Sequence, residues 1–272
     1  MRIRVVDAFT DQPFAGNPAG VCLLAAGPWP DETWMRLIAA EMNHAETAFA
    51  RPSDAADADW DLRWFTPAVE AQLCGHATLA TTHAMAADGL VDGQVSFSTR
   101  SGILTAAVAP DGAITLDFPA APPMAAEPPA GLADALGVEP VAAYRTGSLG
   151  DLLSVLPDEK AVRAIAPDLA AVAQITTRDE LRGMIVTAAA ADPEVGYDFV
   201  SRFFAPAHGV PEDPVTGSAH TVLAPYWAAR LGRDHLVGFQ ASARGGFVHV
   251  VPDGDRVRLT GRAVTTLDGT LL

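Results

Sequence analysis

Apolar residues along this chain come in short runs broken by turn residues, and one order of runs and breaks occurs twice. In the first half Leu62 to Phe65 reads as a strand, Thr66–Pro67 turns the chain, and a loop runs to Gly75. His76 to Ala87 then reads as a helix stopped by Asp88–Gly89. Arg100-Ser101-Gly102 leads into ILTAAVAPDGAITLDF, where two apolar runs flank Pro110-Asp111-Gly112, a hairpin signal. The second half follows suit. Phe199 to Phe204 reads as a strand, Ala205–Pro206 turns, the loop ends at Gly217, and Ser218 to Leu231 reads as a helix stopped by Gly232. Arg244-Gly245-Gly246 leads into FVHVVPDGDRVRLTG, whose apolar runs flank Pro252-Asp253-Gly254. Gly75 precedes Arg100 by 25 positions and Gly217 precedes Arg244 by 27. Turn residues recur by chance in any chain, but a shared order of strand, F-x-P, loop, glycine, helix, R-x-G and PDG hairpin points to two related halves.

The repeat sets the fold class. The chain reads as α/β, of the α+β kind, with two similar halves. Hairpins outnumber βαβ crossovers, so each sheet is expected to be mixed and largely antiparallel. The helices TLATTHAMAA and TVLAPYWAAR are apolar over most of their surface, which predicts one buried helix per half with a curved sheet wrapped around it. Between the halves lies PAAPPMAAEPPA, residues 119–130, with prolines at 119, 122, 123, 128 and 129. Proline removes backbone donors, so this stretch cannot sit inside a helix or a central strand. It reads as a linker, the other reading being an irregular surface loop within one domain. The expected division is therefore 1–118, the linker 119–130, and 131–262, with 263–272 returning as a last strand to the first half.

Composition narrows the function. The chain has 272 residues, 49% of them hydrophobic and 19% charged, ample for a core without disulfides or structural metals. A net charge of −15 repels polyanions, and the nearest thing to a basic stripe is the thin Arg256, Arg258, Arg262 spacing. No nucleic-acid partner is expected. A small anionic substrate held by local donors remains compatible with that charge. Two cysteines, Cys22 and Cys74, are too few for a disulfide framework and suggest a reducing compartment. The start MRIRVVDAFTD has no signal-peptide apolar region, and no uncharged stretch approaches the roughly 18 residues of a membrane span. A soluble, cytoplasmic protein without a membrane partner is expected.

Chemistry concentrates where the two helices start, in LCGHAT at Leu73 to Thr78 and VTGSAH at Val215 to His220. Early helical amides lack internal partners and carry the positive end of the dipole, so two such ends in one cleft would hold a carboxylate. Thr216 or Ser218 acting as a helix cap is the plainer reading, and both can hold at once. Glu212-Asp213-Pro214 precedes the second helix. Glu46 follows a predicted helix over Asp31 to Met42 and enters the apolar Thr47-Ala48-Phe49-Ala50, where partial burial raises a carboxyl pKa towards a useful value. An acid before a helix is more often a cap or a surface charge, and a histidine like His76 is more often structural. Sharper motifs fail: Ser218, Asp213 and His220 lack a G-x-S-x-G elbow, and HExxH, Walker A and Rossmann patterns are absent. His83, seven positions from His76, reads as a helix-face histidine, so neither metal nor cofactor is implied.

VDAFTDQPFAGNPAGVCLL, MNHAETAFA, RWFTPAVEAQLCGHAT and FFAPAHGVPEDPVTGSAH together resemble the PhzF-like family of phenazine-biosynthesis proteins, in family order and over essentially the whole chain. The resemblance implies the diaminopimelate-epimerase-like fold, an active site between the halves, no cofactor, and a homodimer. The family's best-known member isomerises a dihydro-hydroxyanthranilate by moving a proton between ring carbons. By the same resemblance the proton-shuttling acid/base falls on Glu46, and the G-H-A-T pair falls on Gly75 and His76. The E-D-P aspartate falls on Asp213 and the G-S-A-H pair on Gly217 and Ser218. Glu46, His76 and Asp213 are thus the expected catalytic residues, and Gly75, Gly217 and Ser218 the substrate-binding ones. Racemases of this fold use a cysteine at the start of each central helix. Here Cys74 precedes Gly75 but Thr216 precedes Gly217, so a two-thiol mechanism is disfavoured. A cofactor-independent isomerase acting on a carboxylate-bearing substrate is the expectation, and a non-catalytic binding member of the same fold is the alternative.

Overall fold

The computed structural model describes residues 1–272, which form two compact units: Met1–Phe118 with Thr260–Leu272, and Pro119–Leu259. In the first unit the elements are β1 (Arg2–Ala8), β2 (Asn17–Leu23), α1 (Glu32–Met42), β3 (Glu46–Pro52), β4 (Trp60–Phe65), β5 (Glu70–Ala71), α2 (Gly75–Ala87), β6 (Gln94–Thr99), β7 (Gly102–Val108) and β8 (Ile114–Pro119). The second contains β9 (Met124–Ala126), α3 (Leu132–Leu136), β10 (Ala142–Arg145), β11 (Asp151–Val155), α4 (Glu159–Ala164), α5 (Leu169–Arg178), β12 (Gly183–Ala189), β13 (Phe199–Ala205), β14 (Val210–Asp213), α6 (Gly217–Leu231), β15 (Leu236–Gln240), β16 (Gly246–Asp253) and β17 (Arg256–Gly261). The last strand, β18 (Ala263–Thr270), pairs antiparallel with β1 in the first unit. No helix is long and apolar enough to cross a membrane.

Pairing repeats with the sequence. β1–β2 is antiparallel, β2–β3 parallel across α1, β3–β4 antiparallel, β4–β6 parallel across α2, and β6–β7 antiparallel. In the second unit β10–β11 is antiparallel, β11–β12 parallel across α4 and α5, β12–β13 antiparallel, β13–β15 parallel across α6, and β15–β16 antiparallel. These are the mixed, mostly antiparallel sheets expected, each with its central helix buried. The duplication extends to side chains. Arg63 of β4 grips Glu70 of β5 and lies 5.1 Å over the Phe65 ring, while Arg202 of β13 grips Glu212 of β14 and lies 5.0 Å over Phe204. Glu212, next to the candidate Asp213, is thereby a structural acid.

Each buried helix solves its polar problem locally. In α2 the hydroxyls of Thr78, Thr81 and Thr82 donate to the carbonyls of Cys74, Ala77 and Thr78, four residues back. A buried hydroxyl left unbonded would cost roughly 1–3 kcal/mol. In α6, Pro225 has no N–H to offer the Thr221 carbonyl, and the Ala121 amide takes its place at 3.1 Å. That bond corrects the linker reading of 119–130. From Pro119 onward the stretch belongs to the second unit: Ala120 N–H donates to Asp255 O, and Met124–Ala126 forms β9, antiparallel to β10. Its prolines flank these three residues and so leave a short ladder free to form.

Candidate active site

Glu46 is placed by the end of α1. Asp31 caps the start of that helix by accepting from the Thr33 and Trp34 amides, and Asn43 ends it in the left-handed conformation, φ 53°. Met35, Ile38 and Ala39 lock it onto Phe49 and Phe65. The chain then enters β3 at Glu46, opposite Ala19 of β2. The Glu46 side chain is 19% exposed, the partial burial expected of it.

His76 stands in the first turn of α2, after Gly75, with its ring buried. Glu46 Oε2 lies 3.4 Å from His76 Nε2, and Asn17 Nδ2 lies 3.2 Å from Nδ1. Burial, with a smaller contribution from the charge of His44, pushes the His76 pKa down to about 3. The imidazole is therefore neutral at physiological pH. At 3.4 Å its contact with Glu46 sets a carboxylate beside a neutral ring and is not an ion pair.

Cys74, the residue before Gly75, places its sulfur 3.6 Å from Nδ1 and 3.9 Å from Nε2 of the ring. Glu46, Cys74 and His76 are donor types that suit zinc, and their ligating atoms lie within 4.8 Å of one another. The feature that the geometry shows directly is a carboxylate beside a neutral imidazole.

The second helix start is built from other parts. Asp213 ends β14, and its carboxylate accepts from Thr216 Oγ1 at 2.5 Å. Buried Gln240 ties this loop together: Oε1 accepts from the Thr216 amide, while Nε2 donates to the Asp213 carbonyl. Ser218 Oγ accepts from Arg182 Nη2 at 3.0 Å, and Arg182 is held by the buried Asp151 at 2.9 and 2.5 Å. Desolvation raises the Asp151 pKa, and the Arg182 guanidinium works against it. The capping reading is corrected here. Neither Cys74 nor Thr216, the N-cap residues, bonds its own helix through its side chain, and the Thr216 hydroxyl is committed to Asp213.

Within the first unit, then, Glu46 meets His76, one residue after Gly75. Within the second, Asp213 meets the start of α6, where Gly217 and Ser218 lie. His83 bonds Thr265 Oγ1 at 3.2 Å, as a helix-face histidine would. Neither cysteine forms a disulfide, and both are buried. Asn17, Gln240, Arg182 and Asp151 were not singled out from the sequence. Only Asn17 carried a signal, its place beside Gly16 within the first quoted block.

A mixed, mostly antiparallel sheet around a buried central helix, formed twice in one chain, defines the fold class. A hydroxyproline epimerase of Agrobacterium vitis shares this fold, with a TM-score of 0.63 at 14% identity over 99% of this chain and 91% of its own. The crystal structure of a PhzF-family protein from Enterococcus faecalis superposes with a TM-score of 0.90 at 38% identity, covering 100% of this chain and 99% of that one. The family described as phenazine biosynthesis-like protein matches residues 6–269, and the chain belongs to it. A relative in Pseudomonas aeruginosa, named an uncharacterized isomerase, is 46% identical over 268 residues, 98% of this chain and 96% of that protein. One in Halalkalibacterium halodurans with the same description is 44% identical over 273 residues, 99% and 98% of the two chains.

Proposed function

We propose that the protein is an isomerase that moves a proton between carbons of a small carboxylate-bearing substrate, with Glu46 as the acid/base. The observation that carries this is the Glu46–His76 contact: a partly buried carboxylate beside a neutral imidazole that can donate to it. Such a carboxylate accepts a proton from one substrate carbon and returns it to another on the same face, so the step balances without a redox partner. His76 steadies Glu46, and Asp213 hydrogen-bonds polar groups of the substrate. Gly75, Gly217 and Ser218 take the substrate-binding role, supported by first-turn amides that no N-cap side chain occupies.

Deuterium exchange tests the reading. Cyclic amino acids and hydroxy acids bearing a carboxylate are incubated with the protein in D₂O, and incorporation is followed by mass spectrometry. Glu46→Gln keeps the size of the side chain and loses the exchangeable proton, so exchange is expected to fall at least ~10²-fold while binding persists. Exchange by Glu46→Gln at the wild-type rate would rule Glu46 out.

A further inference from the structure

A neutral imidazole carries one proton on one of two nitrogens. Which nitrogen keeps it decides whether Glu46 meets a donor or a lone pair. We propose that Asn17 is a positioning residue that accepts no proton itself but donates to Nδ1 of His76, holding the ring proton on Nε2, where it faces Glu46.

Three observations support this. Asn17 Nδ2 is 3.2 Å from Nδ1 in a buried pair. An amide can present either its NH₂ or its oxygen to a ring nitrogen, and the carboxylate decides between them. Were the proton on Nδ1, the Nε2 lone pair would oppose a Glu46 oxygen at 3.4 Å, setting two acceptors against each other. With the NH₂ towards Nδ1, both contacts pair a donor with an acceptor. Burial keeps the ring neutral, so a second proton does not remove the choice. Cys74 Sγ, 3.6 Å from Nδ1, is a weak donor or acceptor that suits either tautomer, and His44 acts on the ring through its charge, so neither opposes this choice.

The backbone fixes Asn17 in this task. It opens β2 opposite Ala8 of β1. Gly16 before it is in the left-handed region, φ +64°, where a Cβ would come within 2.2 Å of the Ala8 carbonyl oxygen. The glycine thus permits a close crossing that delivers the Asn17 amide to the ring. The catalytic consequence rests on the role proposed for Glu46, whereas the tautomer does not.

The test is ¹⁵N NMR of histidine-labelled protein at neutral pH without substrate, with His76 assigned by loss of its signals in His76→Gln. The expected wild-type spectrum shows Nε2 protonated and Nδ1 unprotonated; a protonated Nδ1 overturns the proposal without any Asn17 variant. Asn17→Asp puts an acceptor at Nδ1 and is expected to protonate it. Should that buried charge prevent folding, Asn17→Leu removes the donor and is expected to shift the Nδ1 resonance and let both tautomers coexist. A single Nε2–H tautomer with an unshifted Nδ1 in Asn17→Leu would show that Glu46 alone sets the ring, and the proposal fails. Loss of the Glu46 assignment in the deuterium experiment would leave these spectra unchanged, so the two readings fail separately.

Discussion

The two central helices start in the same way and end up with different chemistry. Each follows a strand whose arginine grips a glutamate and stacks on a phenylalanine, and each begins at a glycine after an N-cap residue that makes no side-chain cap. One position after the glycine the two diverge. His76 is a buried neutral ring against a carboxylate and an amide. Ser218 is a hydroxyl against a guanidinium. A duplicated backbone supplies two helix starts, and single side chains then give one a neutral imidazole beside a carboxylate and the other a hydroxyl beside a guanidinium. The difference also shows in the N-cap: the Thr216 hydroxyl is bound to Asp213, while the Cys74 sulfur lies 3.6 and 3.9 Å from the His76 ring nitrogens.

What the helices share should give the largest effect, and it is a pH effect. His76 and His220, one in each helix, have pKa values pushed by burial from 6.5 down to about 3 and about 4. Folded, both stay neutral. Unfolded, each takes up a proton as the pH falls through about 6.5, so the unfolded state gains protons that the folded state refuses. Stability present above that pH is lost as the pH falls towards the folded values, at about 1.4 kcal/mol per histidine per pH unit. Denaturant titrations between pH 6.5 and 4.5 are expected to show a combined loss of roughly 5 kcal/mol from the two. His76→Gln and His220→Gln should each flatten the slope by one proton. An unchanged slope in both would mean that the buried rings are not the cause.

Smaller effects separate the two starts. Gly16→Ala forces a left-handed φ and a Cβ against the Ala8 carbonyl, so it should destabilise the first unit by about 3 kcal/mol or more, read from chemical unfolding. Thr216→Val removes the hydroxyl that donates to Asp213 and is expected to cost about 1–2 kcal/mol. A neutral result would show that Gln240 alone holds the loop. Ser218→Ala should change stability by less than ~0.5 kcal/mol, because Arg182 keeps Asp151 and is itself partly exposed. A large loss there would make Ser218 a structural residue and undercut its proposed binding role.

Periodicity and punctuation sufficed for the two halves, both central helices to within a residue of their starts, and the return of 263–272 as a strand, here paired with β1. These are local properties. Apolar spacing, F-x-P turns and PDG corners act over a few residues, and the family motifs carried Glu46, His76, Asp213 and Ser218 along with them. The partners lay out of reach because they are distant in the chain. Asn17 meets His76 across 59 positions, Arg182 meets Ser218 across 36, and Gln240 meets Thr216 across 24. Pro225 shows the same limit. A proline inside a helix orphans the carbonyl four residues back, and only packing revealed that the Ala121 amide, from a stretch that reads as a linker, satisfies it. The sequence by itself determined where the chain bends and which faces are apolar, since those follow from each residue and its near neighbours. Tertiary structure decided which buried polar group meets which, because burial makes every such group find a partner and does not say where along the chain that partner lies.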